Sequence, residues 1–180
     1  MELTPRDVGY KAPSTGYLNE FSKVDHVHQT TPLPRFLYKT KTIQTLAHTN
    51  TVNSSFPTKS YDTDNLLTSN TTFTAPITGN WDLYYTIYRG NIAVAVTVTV
   101  LEGYLCVNDD TTNGRYAWQK AYVTSGPGLN DVPVSGSACL YLTKGDTVKV
   151  KIYQANSSSY NVDIHHATYP SLFGGSFKGI

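Results

Sequence analysis

The chain has 180 residues, which suits a single domain with a sizeable core, and a formal net charge of +1. Charged residues make up 15% of it, against about 25% in an average protein, so the composition gives no electrostatic reason to expect binding to nucleic acid or an anionic membrane. No apolar run reaches the roughly 18 residues of a membrane-spanning helix, and the first residues lack the basic-then-apolar order of a secretory signal. We therefore expect a protein made in the cytosol, with no membrane insertion and no nucleic-acid partner.

Residues 1–38 differ in kind from the rest of the chain. Prolines and glycines interrupt them, and neither the period of a strand nor that of a helix is sustained. Such a segment cannot bury enough surface to fold alone, so it is either disordered or ordered by a partner. We interpret it as an extended N-terminal attachment arm. Its anchoring side chains would be Tyr10, Tyr17, Leu18, Phe21 and Phe36.

From Lys39 onward the pattern is that of strands, beginning with a predicted strand over Thr40–His48. The clearest stretch is 72–88, which we interpret as strand, turn and strand, because Pro76 and Gly79 suit a tight reversal. After that turn, alternate residues are apolar, as in a half-buried strand. We predict that one face carries Trp81, Leu83, Tyr85 and Ile87, and that the other carries Asp82, Tyr84, Thr86 and Tyr88.

Further strands follow at short intervals. We predict them at 92–101, 103–107, 115–123, 138–143, 147–155, 160–167 and 171–180. The polar segment 108–114 indicates a hairpin, and Lys144-Gly145-Asp146 indicates a second hairpin, whose outgoing strand points Val148, Val150 and Ile152 inward. About ten antiparallel strands at this spacing predict an all-β sandwich or jelly roll.

The two cysteines, Cys106 and Cys139, lie in apolar, strand-like surroundings. Synthesis in the cytosol favours two buried, reduced thiols over a disulfide.

Three segments occur in the order that they have in a known family. The block FTAPITGNWDLYYTIY, the block LYLTKGDTVKVKIY and the terminal LFGGSFKGI resemble the globular-head domain of complement and the related tumour necrosis factor jelly rolls, over residues 40–180. The resemblance implies a single ten-stranded jelly-roll head, residues 39–180, that assembles as a homotrimer, binds through its loops or sides and has no catalytic activity.

A second resemblance lies in the arm. Asp25-His26-Val27-His28 looks like the D-H-V-H element of bacteriophage tail-fibre and head-fibre proteins. In that family the two histidines can point at a trimer axis, which implies a transition metal ion held by His26 and His28, since imidazole suits iron, nickel or zinc. The alternative is that both histidines are exposed polar residues of a flexible arm.

Other candidate chemistry is weaker. His165 and His166 are adjacent on a predicted strand and would point to opposite faces. The loop that holds Asn108, Asp109, Asp110 and Asn113 offers oxygen ligands for calcium, but their spacing does not match an EF-hand loop, so we favour an ordinary turn. No serine-hydrolase signature and no inward pair of carboxylates is evident, so we expect no enzyme.

The remaining aromatic residues are too many for one core, so some must lie at an interface or on the surface. We predict a trimer interface that contains Tyr84, Tyr88, Tyr116, Trp118 and Tyr153. The alternative use of such residues is a platform for carbohydrate.

Together the two resemblances suggest a non-enzymatic bacteriophage virion protein, a fibre or a capsid decoration protein. It would assemble in the host bacterial cytoplasm, project a trimeric head and attach to capsid or tail proteins through its arm. The alternative is a receptor- or carbohydrate-binding module that recognises host-surface glycans. A secreted complement-like or cytokine-like ligand is a third interpretation.

Overall fold

The computed structural model describes residues 32–89, 99–123, 133–156, 161–165 and 168–180. The chain divides into two units, Met1–Pro32 and Leu33–Ile180, and the described residues belong almost entirely to the second. The predicted arm therefore lies outside the described residues up to position 31. Within the described ranges no helix is long and apolar enough to span a membrane.

The described residues form thirteen strands, and the elements confirm the all-β prediction. The strands are β1 (Arg35–Thr40), β2 (Gln44–Leu46), β3 (Thr51–Asn53), β4 (Thr58–Asp62), β5 (Leu67–Thr68), β6 (Thr72–Thr74), β7 (Gly79–Tyr88), β8 (Thr99–Val107), β9 (Arg115–Val123), β10 (Pro133–Leu142), β11 (Thr147–Asn156), β12 (Val162–Ile164) and β13 (Ser171–Gly179).

The strands form two facing antiparallel sheets. Sheet I has the order β10-β7-β13-β1-β4, and sheet II has the order β5-β6-β11-β8-β9, with β3 also paired to β11. A small third sheet pairs β12 with β2. The alternation predicted for β7 is confirmed, because Trp81, Leu83, Tyr85 and Ile87 are all buried.

Aromatic rings join the two sheets across the core. Phe36 of β1 stacks on Phe73 of β6, with ring centroids 5.0 Å apart, and meets Phe173 of β13 edge-on at 5.1 Å. Phe73 in turn packs against Trp81 of β7, with centroids 5.0 Å apart. Such aromatic pairs add stability beyond the area they bury. Phe36, which the sequence placed in the arm, is therefore a core residue, and the predicted boundary at 38/39 falls inside β1.

The turn predicted through Pro76 and Gly79 and the hairpin predicted at Lys144-Gly145-Asp146 both join strands that do not pair with each other. β6 belongs to sheet II and β7 to sheet I, so the segment through Pro76 crosses from one sheet to the other instead of closing a hairpin. Lys144-Gly145-Asp146 likewise connects β10 of sheet I to β11 of sheet II. A hairpin turn and a short connection between two sheets use the same residue types, because each must reverse the chain direction whether or not the flanking strands pair. The hairpin predicted between β8 and β9 is confirmed.

Three further predictions need correction. The first predicted strand, Thr40–His48, is replaced by β1 and the short β2, and the predicted strand 160–167 shrinks to β12 within the described residues. Cys106 is buried as expected, but Cys139 is exposed. Cys139 pairs with Asp82 on the outer face of sheet I, because alternation along β10 turns that position away from the core. Both thiols are free.

Candidate binding surfaces

The outer face of sheet I carries a group of tyrosines, which we call the tyrosine face: Tyr61, Tyr84, Tyr88 and Tyr141. Alternation along β7 points Tyr84 and Tyr88 outward, since their neighbours Leu83, Tyr85 and Ile87 face the core. Tyr84 is 37% exposed, Tyr61 43% and Tyr141 62%. The face therefore presents aromatic rings to solvent.

Small residues let these rings lie flat on the sheet. A Cβ added at Gly174 would stand 2.6 Å from the hydroxyl oxygen of Tyr84, so the Tyr84 ring lies across this glycine. Burial raises the pKa of the Tyr84 hydroxyl, and the neighbouring Tyr61 raises it further. Tyr88 stacks on Tyr169, with ring centroids 5.5 Å apart and planes inclined by 28°. The rings are thus held in place before any partner binds.

The outer face of sheet II carries a different arrangement, which we call the Trp118 cluster: Glu102, Tyr104, Arg115, Trp118 and Lys120. The indole Nε1 of Trp118 donates to Glu102 Oε2 at 3.1 Å, and Lys120 Nζ lies 2.9 Å from Glu102 Oε1. The Arg115 guanidinium lies 4.9 Å from the ring centre of Tyr104 and 5.9 Å from that of Trp118. Trp118 is 53% exposed although its orientation is fixed by these contacts.

A bulge in β9 creates this cluster. The pairing of β8 with β9 shifts register between Gly103 and Leu105, and Ala117 has a φ of 51°. The carbonyl oxygen of Ala117 accepts a hydrogen bond from the Tyr85 hydroxyl, at 2.9 Å, across the core. A bulge of this kind redirects the side chains beside it. Sequence reasoning could not bring Glu102 of β8 together with Arg115 and Lys120 of β9, because the periodicity of β9 carries no sign of the bulge.

The loop considered for calcium uses its oxygens within the protein. Asp110 Oδ1 accepts hydrogen bonds from the backbone amides of Thr112 and Asn113, at 2.8 and 2.9 Å. Asp109 binds Lys149 and Lys151, at 2.5 and 3.0 Å, and these hydrogen bonds lower the pKa of its carboxyl group. Among the described residues no group of three or more acidic, histidine or cysteine side chains could hold a metal ion.

The predicted site residues fall into three groups. Tyr84 and Tyr88 lie on the tyrosine face, whereas Trp118 and Tyr153 lie on the outer face of sheet II, and Tyr116, in β9, is 41% exposed. The five do not share one surface of the chain, so their common assignment to an interface stays a prediction. The arm residues Tyr10, Tyr17, Leu18 and Phe21 and the histidines His26 and His28 lie outside the described residues. So does His166, whereas His165 is buried at the end of β12.

Comparison with known proteins supports the fold. The globular domain of zebrafish complement 1qA protein matches with a TM-score of 0.52 and 15% sequence identity, covering 81% of this chain and 97% of that chain. The crystal structure of murine APRIL at pH 8.0 matches with a TM-score of 0.54 and 11% identity, covering 82% of this chain and 100% of that chain. No protein-family model and no curated protein sequence matches the chain. At these identities the likeness concerns the fold, and at that level it confirms the predicted resemblance: the chain has the all-β jelly-roll fold of the complement globular head.

Proposed function

We propose that this protein is a non-enzymatic, homotrimeric head that assembles through its tyrosine face. The observation that carries the proposal is the set of exposed tyrosine rings on the outer face of sheet I, laid over small residues such as Gly174. Tyrosine buries a large contact area at little entropic cost and is enriched at the centres of interfaces.

The polar groups of the tyrosine face also suit burial. In the described part of the chain, Asp82 and Lys178 form an ion pair on this face at 3.1 Å, with both side chains about half exposed. Beside Tyr84, β10 contributes Ser135 and Ser137, which line a shallow groove of about 290 Å³. Arg35 also lies over the ring of Tyr61, 5.4 Å from its centre, so this arginine, like Asp82 and Lys178, already has a partner within the chain when another copy packs here. A subunit contact of ordinary size buries about 800 Å² on each partner.

Light scattering coupled to size-exclusion chromatography tests the assembly. The full chain should have the mass of a trimer, and Tyr84→Arg should shift it toward the monomer because the new charge would be buried without a partner. Tyr122→Arg is the matched control, since Tyr122 is 68% exposed on the other sheet. A stable monomer for the unchanged chain would overturn the proposal, as would equal effects of the two substitutions. Circular dichroism establishes that each variant is folded.

The assembled head belongs, in this proposal, to a bacteriophage virion, as a fibre or capsid decoration protein that assembles in the host cytoplasm. The support is the resemblance of residues 25–28 to a phage fibre element, together with the prolines and glycines that interrupt residues 1–38. Tyr10, Tyr17, Leu18 and Phe21 would contact a capsid or tail protein. Because β1 begins at Arg35, a deletion of residues 1–31 should spare the head, leaving a folded trimer that is missing from purified particles. Normal incorporation of the shortened protein would contradict the attachment role.

The metal site is part of the same proposal. Three-fold assembly would bring several copies of His26 and His28 together, and imidazole nitrogens bind iron, nickel and zinc. Elemental analysis of the purified trimer should find one of these metals, and the double variant His26→Ala, His28→Ala should lose it. Equal metal content in the variant would dismiss the site.

The Trp118 cluster favours a second function, recognition of a host-surface glycan. An exposed indole whose orientation is fixed by Glu102 provides a flat platform for a sugar ring, and Arg115 provides hydrogen-bond donors beside it. A glycan array probed with the full chain should give hits that Trp118→Ala removes and Tyr141→Ala keeps. An array without hits would remove this function and leave the structural one unaffected.

A further inference from the structure

A cavity of about 240 Å³ lies where the small third sheet joins sheet I. Its walls come from three parts of the chain: the stretch from the end of β1 to the start of β2 (Thr40, Thr42, Ile43 and Gln44), the connection between β3 and β4 (Ser55 and Pro57), and His165 after β12. Thr42, Ile43 and Pro57 are exposed and form its rim, whereas His165 lies at its base and is 1% exposed. The volume far exceeds the roughly 30 Å³ of one water molecule and approaches the about 300 Å³ at which small-molecule pockets begin.

The His165 ring is fixed by its surroundings. The backbone amide of His165 donates to the carbonyl oxygen of Tyr88 at 2.8 Å, which ties the residue to the end of β7. Its ring meets that of Phe56 edge-on, with centroids 5.8 Å apart. The φ of His165 is 68°, a left-handed conformation that few residues with a side chain adopt. Conformations of this kind persist only where the surrounding structure enforces them, and they are frequent at functional sites.

Two of the residues that line the cavity carry buried hydrogen-bonding atoms that the protein leaves unused. In the described part of the chain, three of their atoms have no hydrogen-bond partner: the two ring nitrogens of His165 and the Oε1 atom of Gln44. The Nε2 atom of Gln44 donates to the carbonyl oxygen of Asn53 at 3.3 Å, which orients the amide. Buried polar atoms are normally hydrogen-bonded, and leaving them unpaired costs free energy. Two separate side chains therefore present unsatisfied atoms beside one cavity.

The chemistry of these atoms defines what they can bind. Burial lowers the pKa of the His165 imidazole to about 4, so at neutral pH the ring is uncharged, with one nitrogen donating and the other accepting. The Gln44 Oε1 atom accepts. Among the described residues that line the cavity, none carries a charge at neutral pH that could neutralise an ionic ligand. Hydroxyl groups, which both donate and accept, match this set.

We propose that this cavity binds a neutral polyol of about the size of one sugar ring, with hydroxyl groups hydrogen-bonded to His165 and Gln44. The lining of the cavity shares no residue with the tyrosine face or with the Trp118 cluster, so the proposal does not rest on the proposed assembly. A ring of that size fills the space between the exposed rim and the buried imidazole, and its hydroxyls satisfy atoms that the fold leaves unpaired.

Nuclear magnetic resonance of the histidine ring nitrogens tests this proposal on the full chain. Added myo-inositol should shift the His165 ring nitrogens in a saturable manner and leave those of His48, which does not line the cavity, unchanged. Acetate should not produce this shift, because no charged side chain lines the cavity to offset the cost of removing an anion from water. No saturable shift with myo-inositol or with glycerol would show that water alone satisfies these atoms and would overturn the proposal.

Substitutions make the test specific. Gln44→Leu should weaken myo-inositol binding about fivefold, the effect expected when one neutral hydrogen bond is lost. Gln119→Leu is the matched control, because Gln119 is an exposed glutamine of β9, and it should bind as the unchanged chain does. If Gln44→Leu does not fold, Ile43→Trp, which enlarges an exposed rim residue, should block access and abolish the shift. Full binding in a folded variant of either kind would refute the site.

Discussion

Substituting Tyr85 by phenylalanine would remove the hydroxyl that joins the two sheets across the core. Tyr85 belongs to β7 of sheet I, and its hydroxyl donates to the carbonyl oxygen of Ala117 in β9 of sheet II at 2.9 Å. The residue is 1% exposed, and burial raises the pKa of its hydroxyl well above the usual value. A Cβ added at Gly103 or Gly136 would stand 2.9 Å from the Tyr85 ring, so the ring occupies the space above both glycines. Phenylalanine keeps this packing and loses only the hydrogen bond.

The expected loss follows from that geometry. Loss of a partly buried hydrogen bond such as this one destabilises a protein by about 0.5–1.5 kcal/mol, and each kcal/mol lowers the melting temperature of a chain of this size by about 2–4 °C. Urea and thermal unfolding at one fixed protein concentration measure the loss without a contribution from altered assembly. Tyr141→Phe is the control, because Tyr141 is 62% exposed on the outer face of sheet I. An unchanged urea midpoint for Tyr85→Phe would refute the idea that this bond holds the sheets together.

Three further results are expected. Lowering the pH from 6.5 to 4 should destabilise the fold by about 3 kcal/mol through His165, because the unfolded chain takes up a proton near pH 6.5 and the buried ring only near pH 4. His165→Asn, which tolerates the left-handed conformation, should flatten this pH dependence in urea titrations. The lysine partners of Asp109 lower the pKa of its carboxyl group in the folded chain. Asp109 therefore stabilises the fold at a pH above its pKa in the unfolded chain, and this stabilisation should be lost as the pH falls below about 4. Asp109→Asn should abolish that acidic step, and a step of equal size in the variant would contradict the assignment. Gly175→Ala would press a methyl group against Leu83, and thermal unfolding should show a loss of about 1–3 kcal/mol.

Alternation predicted the strands of this chain better than it predicted their partners. The buried face of β7 and the inward Val148, Val150 and Ile152 of β11 follow from side chains that alternate in polarity, which depends on the strand alone. Pairing depends on contacts between distant segments. The connections through Pro76 and Gly145 therefore look like hairpin turns in sequence although each joins one sheet to the other.

The candidate surfaces were predictable to different extents. Tyr84 and Tyr88 could be placed on an outer face because they alternate with core residues. The Trp118 cluster could not be assembled from sequence, because it depends on a register shift at Ala117. The burial of His165 was equally hidden, since β12 spans only Val162–Ile164 and the sequence predicted a longer strand ending in polar residues.

The polar groups of the two outer faces indicate which face is suited to subunit contact. On sheet II, Glu102 is engaged by Lys120 and Trp118, and Asp109 by Lys149 and Lys151. Burying these ion pairs beneath another subunit would remove their water without improving their geometry, and the desolvation cost of such pairs often exceeds what their attraction returns. The tyrosine face carries the ion pair of Asp82 and Lys178 together with the exposed rings of Tyr61, Tyr84 and Tyr141, and aromatic rings supply much of the energy of subunit contacts. Assembly through sheet I would leave the Trp118 cluster in solvent. Its ion pairs could then stay hydrated while the exposed indole binds a sugar. One chain can therefore combine a structural face and a recognition face, and Trp118→Ala should alter binding without altering the mass of the trimer.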